Sequence, residues 1–420
     1  MSTFVEKRSA PFRAWVIWTL GALFMFYKYA VEVSPSVMTA TMMKTFNVSG
    51  AELGSFAATY FYSYLLLQIP AGLLLDRFGS RNMTTAAIFA CGVGALIFSQ
   101  AETIFLASVG RFIAGAGGAF AAVSCLKLTA QWFPKKALAF MAGLMMTLAM
   151  LGAVGGQAPL AYLIESFTWR PAILALGLSG VALALLFFIV VKDAPKTLEV
   201  KRASLKTSLS EVLKNPQSWW LSIYSGFAFA PVMVFGGLWG VSFVKDAYHL
   251  SEELSAELVS LIFIGFAAGA PLFGWLSDRW GKRGPVMFSG TLLALVFIMT
   301  AIYLPSGSPY LLGGLLFGFG FFVSSFLVCF TMIQEQHVPW VAGTAIGFMN
   351  AFDAFVGAFS DPLNGWLLDL SWTGEMIEGV RVFSTLGYQL SFLTIPAYML
   401  IALFALYKVE FEPAKLKENA

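Results

Sequence analysis

Six residues of this chain set polar or ionisable chemistry inside long apolar runs: Lys28, Tyr29, Glu32, Arg111, Asn350 and Asp353. Lys28 and Glu32 stand four apart in Tyr27-Lys28-Tyr29-Ala30-Val31-Glu32-Val33-Ser34-Pro35, so a helix brings them to one face. A carboxylate that changes its surroundings during a cycle can take up and release a proton. An ammonium or guanidinium group beside it can hold an anionic solute. The bland alternative is a self-neutralising pair that only lowers the cost of burying two charges. Arg111 stays protonated in proteins and needs an acid, a cavity or another acceptor; it reads either as a binding or coupling group or as an anchor between helices. Lys127 lies sixteen residues later, about 160° round an ideal helix, and reads as a side chain reaching for the membrane surface.

A stripe in the eleventh apolar run has the clearest pattern. Gly343, Asn350, Asp353, Gly357, Asp361 and Asn364 fall within an arc of about 80°, and Gly347 widens it to about 120°. Such a stripe faces protein or water, not lipid. It reads as a polar cavity wall with Asp353 near mid-membrane, or as a seam of small-residue helix packing.

The elements that carry these residues follow from composition. The 420 residues are 58% hydrophobic and only 12% charged, about half the charge of a soluble domain. Apolar stretches recur at the length that crosses a bilayer as a helix, and they lack the alternation of a membrane barrel. They predict an all-α polytopic membrane protein with about twelve spans: 14–42, 51–75, 83–101, 103–131, 137–161, 171–191, 218–244, 255–276, 285–304, 310–332, 341–368 and 385–407. The first run is too long for a cleavable signal and is expected to stay as a membrane helix. A polar stretch over 192–217 separates six spans from six, giving bundles at 1–191 and 218–420. Within it Leu205–Leu213 is amphipathic and reads as a surface helix or a solvated linker.

Basic residues orient the chain. Of 26 Lys and Arg, 19 lie on the side of the termini and the linker. Four lie opposite (Lys44, Arg170, Lys245 and Arg381) and three within spans (Lys28, Arg111 and Lys127). Both termini are therefore expected in the cytoplasm. The net charge of +3 implies no nucleic-acid partner. Cys91, Cys125 and Cys329 lie singly in apolar runs and read as small hydrophobes. His249 and His337 stand at span ends, so no metal cluster or nucleophile–base pair is expected. Gly236, Gly237 and Gly240 read either as a broken helix at a gate or as packing.

One motif occurs twice. Gly72-Leu-Leu-Leu-Asp76-Arg77-Phe78-Gly79-Ser80-Arg81 follows span 2, and Gly274-Trp-Leu-Ser-Asp278-Arg279-Trp280-Gly281-Lys282-Arg283 follows span 8. Repetition at the same place in each half signals a duplicated six-helix unit. The first glycine is expected to let two helices approach, the aspartate to accept from a helix N-terminus, the turn glycine to take a positive φ, and the arginines to anchor at the anionic surface. The pattern resembles the signature loop of the major facilitator superfamily, with Ser80 where a basic residue is usual. Arg111-Phe-Ile-Ala-Gly115-Ala-Gly117-Gly118 is similar to that family's second motif, associated with substrate or proton handling. Gly152-Ala-Val-Gly155-Gly156-Gln157-Ala-Pro159 lacks the glycine–proline pair of drug/proton antiporters, and Trp132-Phe133-Pro134 with Phe167-Thr168-Trp169-Arg170 looks like the bacterial organic-anion and amino-acid symporter branch.

The resemblance implies a major facilitator fold, two six-helix bundles rocking about a central site, and residence as a monomer in a bacterial inner membrane. It implies a secondary carrier, not an enzyme, with a small-molecule substrate, protons or another coupling ion, and no cofactor. The expected activity is proton-coupled uptake of a small organic anion, amino acid or short peptide. Export of a metabolite, siderophore or drug, or a non-transporting sensor on the same fold, are the alternatives.

Overall fold

The computed structural model describes residues 12–134, 137–192, 205–303, 308–338, 341–377 and 379–411. Several basic residues of the topology argument, Lys7, Arg8, Lys135, Lys136, Lys196, Lys201, Arg202, Lys415 and Lys417, lie outside them. So do the 193–204 part of the linker and the side chain of Asp76.

Among the described residues, twelve helices are long and apolar enough to cross a membrane: Phe12–Val37, Gly50–Leu75, Ser80–Ser99, Ile104–Trp132, Phe140–Phe167, Trp169–Val190, Pro216–Tyr248, Glu252–Trp280, Arg283–Tyr303, Pro309–Glu335, Ala342–Leu370 and Thr385–Tyr407. They are numbered here as spans 1 to 12. Leu205–Lys214 forms a further helix before span 7, and Met376–Ile377 pairs antiparallel with Val380–Arg381 in a small hairpin after span 11.

Successive spans run in opposite directions, so spans 2, 4, 8, 10 and 12 all start at the end of the bundle away from the termini. Each starts on a hydroxyl cap: Ser49, Thr103, Ser251, Ser308 and Ser384 accept from the main-chain N–H of Glu52, Leu106, Leu254, Leu311 and Gly387. These caps satisfy amides that the helix itself leaves free. At Ser49 the Glu52 carboxylate answers with an acceptor for the Ser49 N–H at 2.7 Å, completing a capping box.

Spans 1, 4, 7 and 10 are each interrupted near the middle or outer third. Span 1 tightens to a 3-10 turn at Ser34–Val37, span 4 breaks between Gly118 and Ala121, span 7 is a π-helix over Val232–Trp239, and span 10 tightens at Ser324–Leu327. Such breaks expose main-chain groups that regular helices use up, and they recur where membrane carriers bind solutes.

The two halves meet mainly through span 2 against span 11 and span 5 against span 8. At the far end the contact is close. A Cβ at Gly54 would strike the carbonyl of Asp361, and one at Gly365 the main chain of Gly50. At the termini end the same four helices stand apart: a Cβ added at Gly72, Gly143, Gly274, Gly343 or Gly347 meets nothing within 4 Å. The first glycines of the repeated motif therefore do not bring two helices together in this conformation, contrary to expectation.

The motif turns are otherwise specific. Gly79 has φ +85 and Gly281 φ +61. Arg81 is held at the end of span 6. It donates through Nε at 2.9 Å and Nη2 at 2.7 Å to the carbonyl of Phe188 and lies over its ring. Arg283 likewise binds Glu335 at 2.5 Å. Arg77 and Arg279 lie over the rings of Phe78 and Trp275. The Nζ of Lys127 donates at 2.6 Å to the carbonyl of Leu75 at the end of span 2, where the last turn has unmatched acceptors.

Candidate functional site

The interrupted spans and the polar stripe converge on a cavity between the halves. Its larger part is lined by Lys28, Tyr29 and Glu32 of span 1, Phe61 and Tyr64 of span 2, Asn350 and Asp353 of span 11, and apolar side chains of spans 5, 7, 8 and 10. A second part, nearer the far end, shares Tyr29, Glu32, Phe61, Phe229 and Met233, and adds Arg111 and Asp361. Five of the six residues singled out from sequence thus line the larger chamber, and Arg111 lines the one above it.

Lys28 and Glu32 form an ion pair one helical turn apart, both side chains nearly enclosed. The Lys28 ammonium also lies 3.8 Å from the centre of the Tyr29 ring and 5.0 Å from that of Tyr64, an arrangement that stabilises a desolvated cation. Span 4 makes room for this cluster. A Cβ at Gly118 would collide with the Tyr60 hydroxyl and crowd the Lys28 stem, and one at Gly115 would strike the Tyr60 carbonyl.

Arg111 joins span 4 to span 1. It donates through Nη1 at 2.7 Å to the carbonyl of Val31 and through Nη2 at 3.0 Å to that of Glu32. These acceptors sit where span 1 leaves the α-helix. The guanidinium thus anchors span 4 to the break in span 1, and it also faces the chamber that holds Asp361.

The span 11 stripe divides. Asn350 and Asp353 line the larger chamber and Asp361 the smaller. Asn364 faces away: its Oδ1 accepts from the hydroxyls of Ser391 at 3.1 Å and Thr394 at 2.8 Å in the twelfth helix. Gly357 seats Met233. Asp353 Oδ1 and Asp361 Oδ1 are buried without a close hydrogen-bond partner among the described residues, and the neutral hydroxyl of Ser225 lies beside Asp353. Buried acceptors of this kind are uncommon and point to a ligand, ion or proton.

The far end of the cavity is closed by hydrogen bonds between the halves. Span 5 is also broken, between Gly155 and Ala158, and Gln157 sits at that break; its Nε2 donates to the carbonyl of Gly236 at 2.6 Å and to Ser36 Oγ at 3.1 Å, while its Oε1 accepts from Ser260 at 3.2 Å. Thr39 and Ser242 share a hydrogen bond of 2.5 Å, and Tyr162 donates to Glu257 at 2.6 Å. Asp369, at the end of span 11, accepts from the main-chain N–H of Gly50 at 2.9 Å and Ala51 at 2.8 Å, and binds Arg381 at 2.8 Å. Of the three glycines of span 7, Gly236 and Gly237 lie in its π-helical stretch, Gly236 carries one of these contacts through its carbonyl, and Gly240 packs against Phe235.

Asp361, Tyr64, Gln157 and the aromatic wall were not among the candidate site residues read from sequence. Asp361 carried a signal, since it stands in the stripe. Gln157 stood in a noted motif, where its reach to the other half had no sequence mark. His249 takes φ +52 as the cap of span 7, and His337 bonds Ser218 Oγ at 2.7 Å. Neither approaches the cavity, and no metal-binding cluster occurs among the described residues.

A family model described as Major Facilitator Superfamily matches residues 17–360 and 228–420. The chain is 26% identical to the uncharacterized transporter YybO of Bacillus subtilis over 64% of this chain and 66% of that one. It is 24% identical to the probable sulfoacetate transporter SauU of Cupriavidus necator, over 83% of this chain and 85% of that one. In three dimensions it resembles a bacterial homologue of the human lysosomal transporter Spinster, solved inward-facing and occupied, with a TM-score of 0.78, 16% identity and coverage of 96% and 97%. At that identity the likeness speaks to the fold alone.

Proposed function

Because the chain belongs to the major facilitator superfamily and is a multi-pass membrane transporter, we propose that it works as a proton-coupled symporter, taking up a small carboxylate-bearing solute. Residues 1–191 and 218–420 act as the two rocking bundles and 192–217 as their cytoplasmic linker. Both termini face the cytoplasm of a bacterial inner membrane, and the monomer is the working unit. On this reading the cavity is open inward and closed outward.

The observation that carries the proposal is the Lys28–Glu32 ion pair on the cavity wall. While Glu32 is ionised it occupies the Lys28 ammonium. A proton on Glu32 removes that partner and leaves a desolvated cation, which a solute carboxylate then satisfies. Proton and solute therefore favour each other's binding, a reciprocal coupling. When the cavity opens inward and Glu32 loses its proton to water, the carboxylate retakes Lys28 and displaces the solute. Arg111 holds the main chain at Glu32 in place through this exchange. Asp353 is the competing carrier of the coupling proton.

The test is transport in proteoliposomes. Glu32→Gln is expected to abolish accumulation driven by a pH difference while leaving solute exchange at equal pH. Accumulation that persists in Glu32→Gln and disappears in Asp353→Asn would move the coupling site to Asp353.

A further inference from the structure

The larger chamber is divided by chemistry. Its charged and hydrogen-bonding groups come from spans 1, 2 and 11, whereas spans 5, 7, 8 and 10 contribute Met146, Met150, Phe229, Phe266, Phe326 and Phe330. The aromatic side is built as a surface. Phe229 and Phe326 stack with ring centroids 5.1 Å apart and 19° between planes, and Phe266 and Phe330 meet Phe326 edge-on at 5.9 and 6.1 Å. Rings locked against one another form a rigid apolar wall that needs no reordering to receive a solute.

From this division, and resting on the symport reading above, we infer that the solute is a zwitterion with an apolar side chain: an α-amino acid of the leucine or phenylalanine kind. The carboxylate goes to Lys28 once Glu32 is protonated. The ammonium goes to Asp353, whose Oδ1 lacks a close partner. The side chain lies on the phenylalanine and methionine wall. Each charged group of the chamber then has an opposite charge and no hydroxyl of the solute is stranded. A sugar acid would turn several hydroxyls toward rings that cannot bond them. A compact dianion such as sulfoacetate, which names one relative, would leave the wall uncovered and place its second negative charge toward Asp353. A monocarboxylate without an amine would bring no opposite charge to Asp353.

The experiment is competition for counterflow in proteoliposomes preloaded with L-leucine or L-phenylalanine. Expected are exchange of both amino acids and competition at least about tenfold weaker by 4-methylpentanoate, which lacks the ammonium, and by 3-methylbutylamine, which lacks the carboxylate. Serine is expected to fall behind by about 100-fold, the scale on which apolar pockets separate such side chains. Glucuronate and sulfoacetate are expected not to compete. Asp353→Asn is expected to narrow the gap between leucine and 4-methylpentanoate, and Phe326→Ser that between leucine and serine, each with a folded monomer by size exclusion. Exchange of glucuronate or sulfoacetate in place of the amino acids overturns the inference and leaves a carrier; failure of every compound overturns it too. Exchange of leucine that an inward proton gradient does not accelerate keeps the solute class and removes the coupling.

Discussion

The side-chain amide of Gln157 donates at 2.6 Å to the main-chain carbonyl of Gly236, across the boundary between the two halves. The donor sits where span 5 breaks and the acceptor lies inside the π-helical stretch of span 7. Two irregularities, one in each half, thus meet at the closed end of the cavity. Because Gln157 also bonds Ser36 and Ser260, one side chain ties spans 1, 5, 7 and 8 together at that end.

Gln157→Leu is therefore expected to loosen that end. It removes three hydrogen bonds and leaves the Gly236 carbonyl to find another partner. A buried polar group left unpaired costs about 1–3 kcal/mol, enough to shift a two-state equilibrium by about 5- to 150-fold. The readout is maleimide labelling of Gly237→Cys in a chain otherwise free of cysteine. Gly237 lines the chamber under the closed end, and an added Cβ there meets nothing nearer than 3.9 Å. Labelling from the outer side is expected to speed up in Gln157→Leu; an unchanged rate would mean that other contacts hold the gate.

Asp369 acts on the same equilibrium from a different place. Its carboxylate receives two main-chain N–H groups from the start of span 2 and the guanidinium of Arg381, a favourable site for an anion. Asp369→Ala is expected to accelerate labelling of Gly237→Cys, and Asp369→Asn to do so less, because an amide keeps one acceptor. The effect is expected to add to that of Gln157→Leu, since the two residues share no partner. Arg381→Gln, which keeps the main-chain contacts of Asp369, gives the smallest change of the three.

Arg111 is a test of anchoring against charge. Two of its guanidinium nitrogens hold two successive carbonyls, a fork that a single ammonium cannot copy. Arg111→Lys keeps the charge and is expected to lower the thermal midpoint of the purified protein, on the scale of one charge-assisted bond, about 1.5–3 kcal/mol. Arg111→Gln is expected to lower it further and to reduce solute exchange. Equal thermal midpoints for wild type and Arg111→Lys would remove the anchoring role.

His337 lies between spans 10 and 11 and bonds the buried hydroxyl of Ser218. Burial depresses its pKa below the ordinary histidine value, with Glu211 pulling weakly the other way. A depressed histidine favours the folded state fully above its unfolded pKa, about 6.5. That contribution is lost as pH falls below about 6.5 through the folded value, where the unfolded chain binds the proton more readily. Thermal stability is expected to decline over that acidic window and His337→Gln to flatten the decline. A decline of unchanged slope in His337→Gln would assign it to other groups.

The twelve spans and the repeated loops were legible in the sequence because a bilayer imposes length and apolarity on each helix separately, and both are local properties. Lys28 and Glu32 could be paired for the same reason: a helix fixes the separation of residues four apart. The stripe on span 11 was readable as a face, but not which of its members turned inward. Tertiary packing decided that Asp353 and Asp361 line the cavity while Asn364 bonds the twelfth helix. It also decided that Arg111 is held by carbonyl oxygens, which every residue carries and no sequence pattern marks. The phenylalanines of spans 7, 8 and 10 were least visible of all. A ring facing the cavity and a ring facing lipid are the same residue in the same apolar run, and only the packing of one helix against another decides which of them lines the cavity.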